Sequence, residues 1–179
     1  MYPSFRRLFT ACALAIAGAA LANPAFANTT WQWGYAGAGI SAGGTLTTAD
    51  TPDGNGFYQI LSIAGSRNGD AITGLVPAGT AIPGNEPYAV DNLIKLGSSG
   101  QISGEGFGYS LASGAYANPY FADFLSPPAY TEVFTQGAVF TELPISFSAA
   151  PVPEPSSLAL ALSGLGGWAL ALRRKRHGA

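Results

Sequence analysis

The sequence predicts an all-β domain, an antiparallel β-sandwich or an open barrel, set between a signal peptide and one C-terminal transmembrane helix. Three observations predict it. Apolar residues of the middle region alternate with polar or small ones at a period of two, as on strands with one buried face. Asp-Gly and Asn-Gly pairs recur at short intervals, and these favour hairpin turns. No stretch of the middle shows a capped helical period.

Residues 1–27 have the three parts of a secretory signal: a basic start with Arg6 and Arg7, an apolar run from Leu8 to Leu21, and Ala25-Phe26-Ala27. The small residues Ala25 and Ala27 suit signal peptidase. As a helix the apolar run reaches about 21 Å, short of a ~30 Å hydrocarbon core, so cleavage is expected and Asn28 begins the mature chain.

Residues 28–150 form the β-rich ectodomain, an ordinary length for one domain. Val139, Thr141, Leu143, Ile145 and Phe147 alternate with Phe140, Glu142, Pro144 and Ser146. Tyr130, Glu132 and Phe134 alternate with Thr131, Val133 and Thr135, and Phe107, Tyr109 and Leu111 alternate with Gly106, Gly108 and Ser110. Phe57 to Ile63 reads as a compact apolar strand, Thr45 to Thr48 and Ala71 to Leu75 as shorter ones, and Tyr88 to Leu96 as another. Trp31, Trp33 and Tyr35 precede the first clear strand, and Pro77 to Pro87 and Asn118 to Pro128 read as proline-bearing loops. The expected core includes Phe57, Leu61, Ile63, Val90, Ile94, Tyr109, Leu111, Val139, Leu143, Ile145 and Phe147.

Residues 151–155 are a proline-rich linker, stiff and extended. Residues 156–172 carry no charge and span about 25 Å as a helix, the short end of a membrane crossing. In the tail, residues 173–179, Arg173, Arg174, Lys175 and Arg176 form a stop-transfer cluster that holds it in the cytoplasm.

The order Val152-Pro153-Glu154-Pro155, apolar helix, then Arg-Arg-Lys-Arg resembles the PEP-CTERM sorting domain, also described as the ice-binding protein C-terminal domain. The resemblance covers about Val152 to His177. It implies a substrate of exosortase, a membrane-embedded cysteine protease or transpeptidase of Gram-negative bacteria that make exopolysaccharide. The implied route is export across the inner membrane, transient anchoring by the C-terminal helix, processing near the motif, then the cell surface or extracellular matrix. Exosortase, signal peptidase, the inner membrane and exopolysaccharide are the implied partners.

Composition excludes several functions. The chain has one Cys, one Met and one His, and none of them lies between Asn28 and Leu172. A disulfide framework, a Cys/His zinc site, a thiol nucleophile and a Ser-His-Asp triad are therefore excluded there. Arg67 and Lys95 are the only cations between Arg7 and Arg173, against ten acids, a net of −8. Such a surface does not bind nucleic acid. Nucleotide-cradling glycine motifs are missing too, and no cofactor is expected.

The remaining chemistry is carboxylate and aromatic. Glu86, Glu105, Asp123, Glu132 and Glu142 could pair as acid and base in a glycosidase, but acids alternating off a sheet are usually just solvated. Asp50 to Asn55 could offer oxygens to Ca²⁺, yet it departs from the EF-hand spacing, and no metal site is expected. Trp31, Trp33, Tyr35, Tyr116, Tyr120, Phe121 and Phe124 are either core or, where exposed, faces on which sugar rings stack. The expected protein is non-enzymatic, secreted or surface-held and associated with extracellular polysaccharide. A lectin-like glycan module and, less readily, a carboxylate hydrolase are the alternatives. Ice binding would need a longer regular threonine array than Thr45 to Thr48.

Overall fold

The computed structural model describes residues 28–37 and 39–153. The expected signal peptide with Ala25 and Ala27, the transmembrane helix, and Glu154, Pro155 and the basic cluster lie outside the described residues.

Nine strands follow one another: β1 (Thr29–Gly37), β2 (Ile40–Thr48), β3 (Tyr58–Arg67), β4 (Asp70–Leu75), β5 (Leu93–Ile94), β6 (Tyr109–Leu111), β7 (Tyr116–Ala122), β8 (Ala129–Gln136) and β9 (Val139–Pro151). There is no helix among the described residues. Each of eight strands pairs antiparallel with the next around the wall, in the order β1, β2, β3, β4, β6, β7, β8, β9, and β9 returns to pair with β1. The result is a closed eight-stranded barrel in place of the expected sandwich or open barrel. The ring closes through a short seam, since β3 and β4 share only the pairs Ser66–Ala71 and Arg67–Asp70. β5 stands outside the ring and pairs with Tyr58 and Gln59 of β3, below the two residue pairs that join β3 to β4.

The interior is packed with side chains. Trp31, Trp33 and Tyr35 of β1, Leu46 of β2, Ile60 of β3, Tyr109 and Leu111 of β6, and Ile145 and Phe147 of β9 all belong to one buried cluster. Phe107 lies at its centre, edge-on to Trp33 at 5.5 Å and to Phe147 at 6.1 Å. Each large apolar side chain buried this way contributes about 1.5–3 kcal/mol before entropy is subtracted. Trp31, Trp33 and Tyr35, expected ahead of the first strand, are thus the inward face of β1.

A bulge sets the phase of β3. Thr47 pairs with Ser62 and Thr48 with Ile60, so Leu61 has no partner. The extra residue turns the inward phase from even to odd positions. Ile60 faces in on one side of it and Ile63 on the other, while Leu61, expected in the core, is half exposed. The same shift brings Arg67 into the barrel. Beside the bulge, β2 and β3 approach so closely that a Cβ on Gly65 (φ +146°) would lie 2.2 Å from the Gly43 carbonyl oxygen. Only glycine fits there. Val139, also expected in the core, is exposed, because β1 pairs with β9 only from Ser146 onward and the β8–β9 hairpin projects past it.

The long segment 76–108 covers the outer face of β7 and β8. Val76, Ile82 and Val90 pack on Val133, flanked by Tyr116 and Tyr120, as a second small core outside the wall. The Thr135 hydroxyl donates to the Pro83 carbonyl at 2.7 Å. Buried Asn92 donates to the Val76 carbonyl at 2.8 Å and accepts from the Gly108 N–H at 3.2 Å. Of the strand expected over Tyr88 to Leu96, only β5 forms. Conversely β7 runs through the expected loop, with Pro119 inside it.

Candidate functional site

One acidic side chain has been drawn into the barrel. Glu132 is fully buried, and its carboxylate accepts from Arg67 Nε at 2.8 Å and Arg67 Nη2 at 2.7 Å. Its Oε1 also accepts from the Tyr35 hydroxyl. That uses the one Tyr35 proton, so in the Tyr35–Tyr109 contact the Tyr109 hydroxyl is the donor. Burial, then the neighbouring Tyr109 and Glu132, hold the Tyr35 phenol well above its ordinary range. Burial likewise pushes Tyr109 up, so both phenols remain neutral donors. Burial alone would lower the Arg67 guanidinium, but the hydrogen bonds and charge of Glu132 outweigh it and the net shift is upward. The guanidinium also lies 4.1 Å over the Phe134 ring. Both charges and both phenol protons in this group are matched from within the chain, which is the pattern of a structural lock.

The outer face of the same wall differs. Between segment 76–108 and β8–β9 lies an open groove of about 590 Å³ whose lining includes Tyr88, Phe124, Phe140, Val133, Glu105 and Glu142. Three of its rings face solvent: Tyr88 is 70%, Phe124 74% and Phe140 50% exposed. Rings grouped along one groove offer a candidate interaction surface, unlike apolar side chains exposed singly. Strand parity aims Phe140 and Glu142 outward together. The Tyr120 hydroxyl donates to Glu142 Oε1, and its phenol is pushed up to about 12 by burial and by that bond. Asn118 fixes the floor by donating to the carbonyls of Glu105 (3.1 Å) and Phe107 (3.2 Å).

The five sequence-flagged carboxylates therefore separate. Glu132 is inside the barrel, Glu105 and Glu142 share the groove, and Glu86 accepts from the Gly84 N–H at 3.0 Å within a turn. Asp123 is exposed in the β7–β8 connection. In the Asp50 to Asn55 turn, Asp53 Oδ1 accepts from the N–H groups of Asn55 (2.8 Å) and Phe57 (2.9 Å), so that oxygen organises the turn. Of the flagged aromatics, Trp31, Trp33 and Tyr35 are buried, and Phe124 alone is largely exposed. Tyr88 and Phe140 join the groove in addition, and the alternation that places Phe140 beside Glu142 is visible in the sequence.

The C-terminal residues join the barrel before they leave it. Pro151, expected in the linker, pairs with Trp31, and the Val152 N–H donates to the Thr30 carbonyl at 2.8 Å. Pro153 follows directly, so the sorting segment begins against the wall, on the rim where β1 begins.

Fold and site together define a closed eight-stranded β-barrel with an aromatic, acidic outer groove, its last strand running directly into the C-terminal segment. The chain carries the PEP-CTERM protein-sorting motif, whose family model matches residues 151–176. That motif implies exosortase as the processing partner, together with export and a membrane-linked C-terminal signal. The match concerns the C-terminal segment and not the barrel. No curated protein and no solved structure matches the chain.

Proposed function

We propose that this chain is a non-enzymatic, exosortase-sorted surface or matrix protein whose barrel holds extracellular polysaccharide in the outer groove. The observation that carries this reading is the groove itself, with three exposed rings above a floor fixed by hydrogen bonds. Pyranose rings have flat C–H faces, and aromatic faces stack on them while edge carboxylates and amides take the hydroxyls. Inside the barrel, Arg67, Glu132, Tyr35 and Tyr109 bond to one another, which suits a structural role for the buried carboxylate.

The test is affinity electrophoresis of the purified chain through gels containing polysaccharide from the producing cells. Retardation is expected, and removing one ring, as in Tyr88→Ala or Phe124→Ala, should weaken binding by about 0.5–1.5 kcal/mol. Equal mobility with and without polysaccharide would refute the binding half. For the sorting half, Glu154→Ala should leave a longer, membrane-held form. Identical chain length and fractionation with and without exosortase would refute it.

A further inference from the structure

Resting on the glycan reading of the groove, we infer the charge class of the glycan: a polysaccharide bearing free amino groups, and not one built from uronic acids. Glu105 and Glu142 both line the groove, and no lysine or arginine does. Among the described residues there is no cation to spare for it. Arg67 and Lys95 are the only two between Asn28 and Pro153. Arg67 is spent on Glu132 inside the barrel, and Lys95 Nζ lies 4.5 Å over the ring of Phe57. Asp91 lies near enough to Glu105 for their charges to repel, and its carboxyl accepts from the Ser103 hydroxyl at 2.5 Å.

The rings point the same way. An aromatic face carries the negative side of a quadrupole and attracts ammonium groups. Tyr88, Phe124 and Phe140 therefore supply apolar area and cation affinity together. A uronate chain laid in this groove would set carboxylate against carboxylate with no counter-charge, a juxtaposition that rejects a partner. An amino sugar with its amine free would meet Glu105 and Glu142 as an ion pair while its ring faces stacked.

The experiment is calorimetric titration of the full chain, in detergent, with three oligosaccharides of equal length: glucosamine, N-acetylglucosamine and a uronic acid. The free-amine oligomer is expected to bind about tenfold tighter than the acetylated one, with the preference narrowing as salt is raised, and the uronate to show no binding. Glu105→Gln with Glu142→Gln should abolish the preference, bringing the affinities for the amine and acetylated oligomers together, while the melting temperature stays in place. If the acetylated oligomer binds as tightly as the amine, or the double variant keeps the preference, the charge class is wrong while the glycan groove stands. If Tyr88→Ala with Phe124→Ala leaves amine binding unchanged, the amines are held by the acidic surface at large and the inference falls. Failure of all three oligomers to bind would remove the glycan reading itself.

Discussion

Glu132 and Glu142 occupy neighbouring strands of one wall, one register step apart: Glu132 pairs with Leu143, and Val133 with Glu142. They face opposite sides of it. Glu132 meets Arg67, Tyr35 and a dry aromatic core, whereas Glu142 meets one phenol and open solvent. A period of two thus divides two identical side chains between architecture and recognition. The difference depends on the Leu61 bulge as well, since without it Arg67 would face outward and Glu132 would be an unpaired buried charge.

The largest expected effect is on the inner carboxylate. Glu132→Ala strands Arg67 and should cost about 3–5 kcal/mol in urea unfolding followed by tryptophan fluorescence. Replacing both partners, Arg67→Met with Glu132→Leu, should recover most of that loss, because an apolar pair no longer pays for desolvation. A single variant as stable as the parent would show that the pair is not a lock.

Next comes the close approach that holds β2 and β3 in phase. Gly65→Ala adds a methyl group 2.2 Å from a backbone oxygen at a positive φ. A loss of about 3 kcal/mol is expected, from overpacking and backbone strain together. Gly69→Ala has open space around its Cβ, so it carries only the φ cost and serves as the control.

The outer carboxylate should behave in the opposite way. Glu142→Gln is expected to leave stability within about 0.5 kcal/mol, as exposed substitutions usually do. It should weaken binding of an amino-bearing glycan. If Glu132→Ala and Glu142→Gln destabilised the barrel equally, the division between inner and outer faces would be lost.

Much of this was legible from residue order. The β8 and β9 alternations place Tyr130, Phe134, Ile145 and Phe147 on the inner face, and Asn68-Gly69 marks the β3–β4 hairpin. Three features were not. β2 carries Ala42, Gly43 and Gly44 in its middle, residues with weak strand preference, and it forms because the pairings with β1 and β3 supply what propensity does not. Pro119 demoted β7 to a loop, since sequence alone does not reveal that segment 76–108 covers the outer face of that strand. The bulge at Leu61 depends on pairing with Thr47 and Thr48, a contact between distant residues that no local pattern encodes. The groove inherits these gaps: Glu105 and Glu142 are 37 positions apart, and only barrel closure together with the outer segment brings them to one surface.

The smallest effect concerns a third carboxylate, intermediate between the other two. Asp91 is half-buried behind the groove, and its Oδ1 accepts from the Ser103 hydroxyl and the Leu93 N–H (3.2 Å). Burial raises its carboxyl above the ordinary range, the Ser103 bond opposes this, and the charge of Glu105 adds to it. The folded chain therefore keeps this proton to a higher pH than the unfolded chain does. Between the two pKa values stability falls as pH rises, and above the folded value the full penalty of a buried, repelled charge is present. Asp91→Asn retains an oxygen acceptor for both donors and removes the charge. The variant should match or exceed the parent in urea midpoint at neutral pH. Its advantage should shrink as pH falls through the raised value and vanish below about pH 3, where Asp91 is protonated in both states. Glu105→Gln, which removes only the neighbouring charge, should give a smaller gain of the same sign. A loss of stability in Asp91→Asn at neutral pH would mean that negative charge on this wall is compensated from within the chain, as Glu132 is by Arg67. The outer groove would then lack the unmatched charge that separates it from the interior.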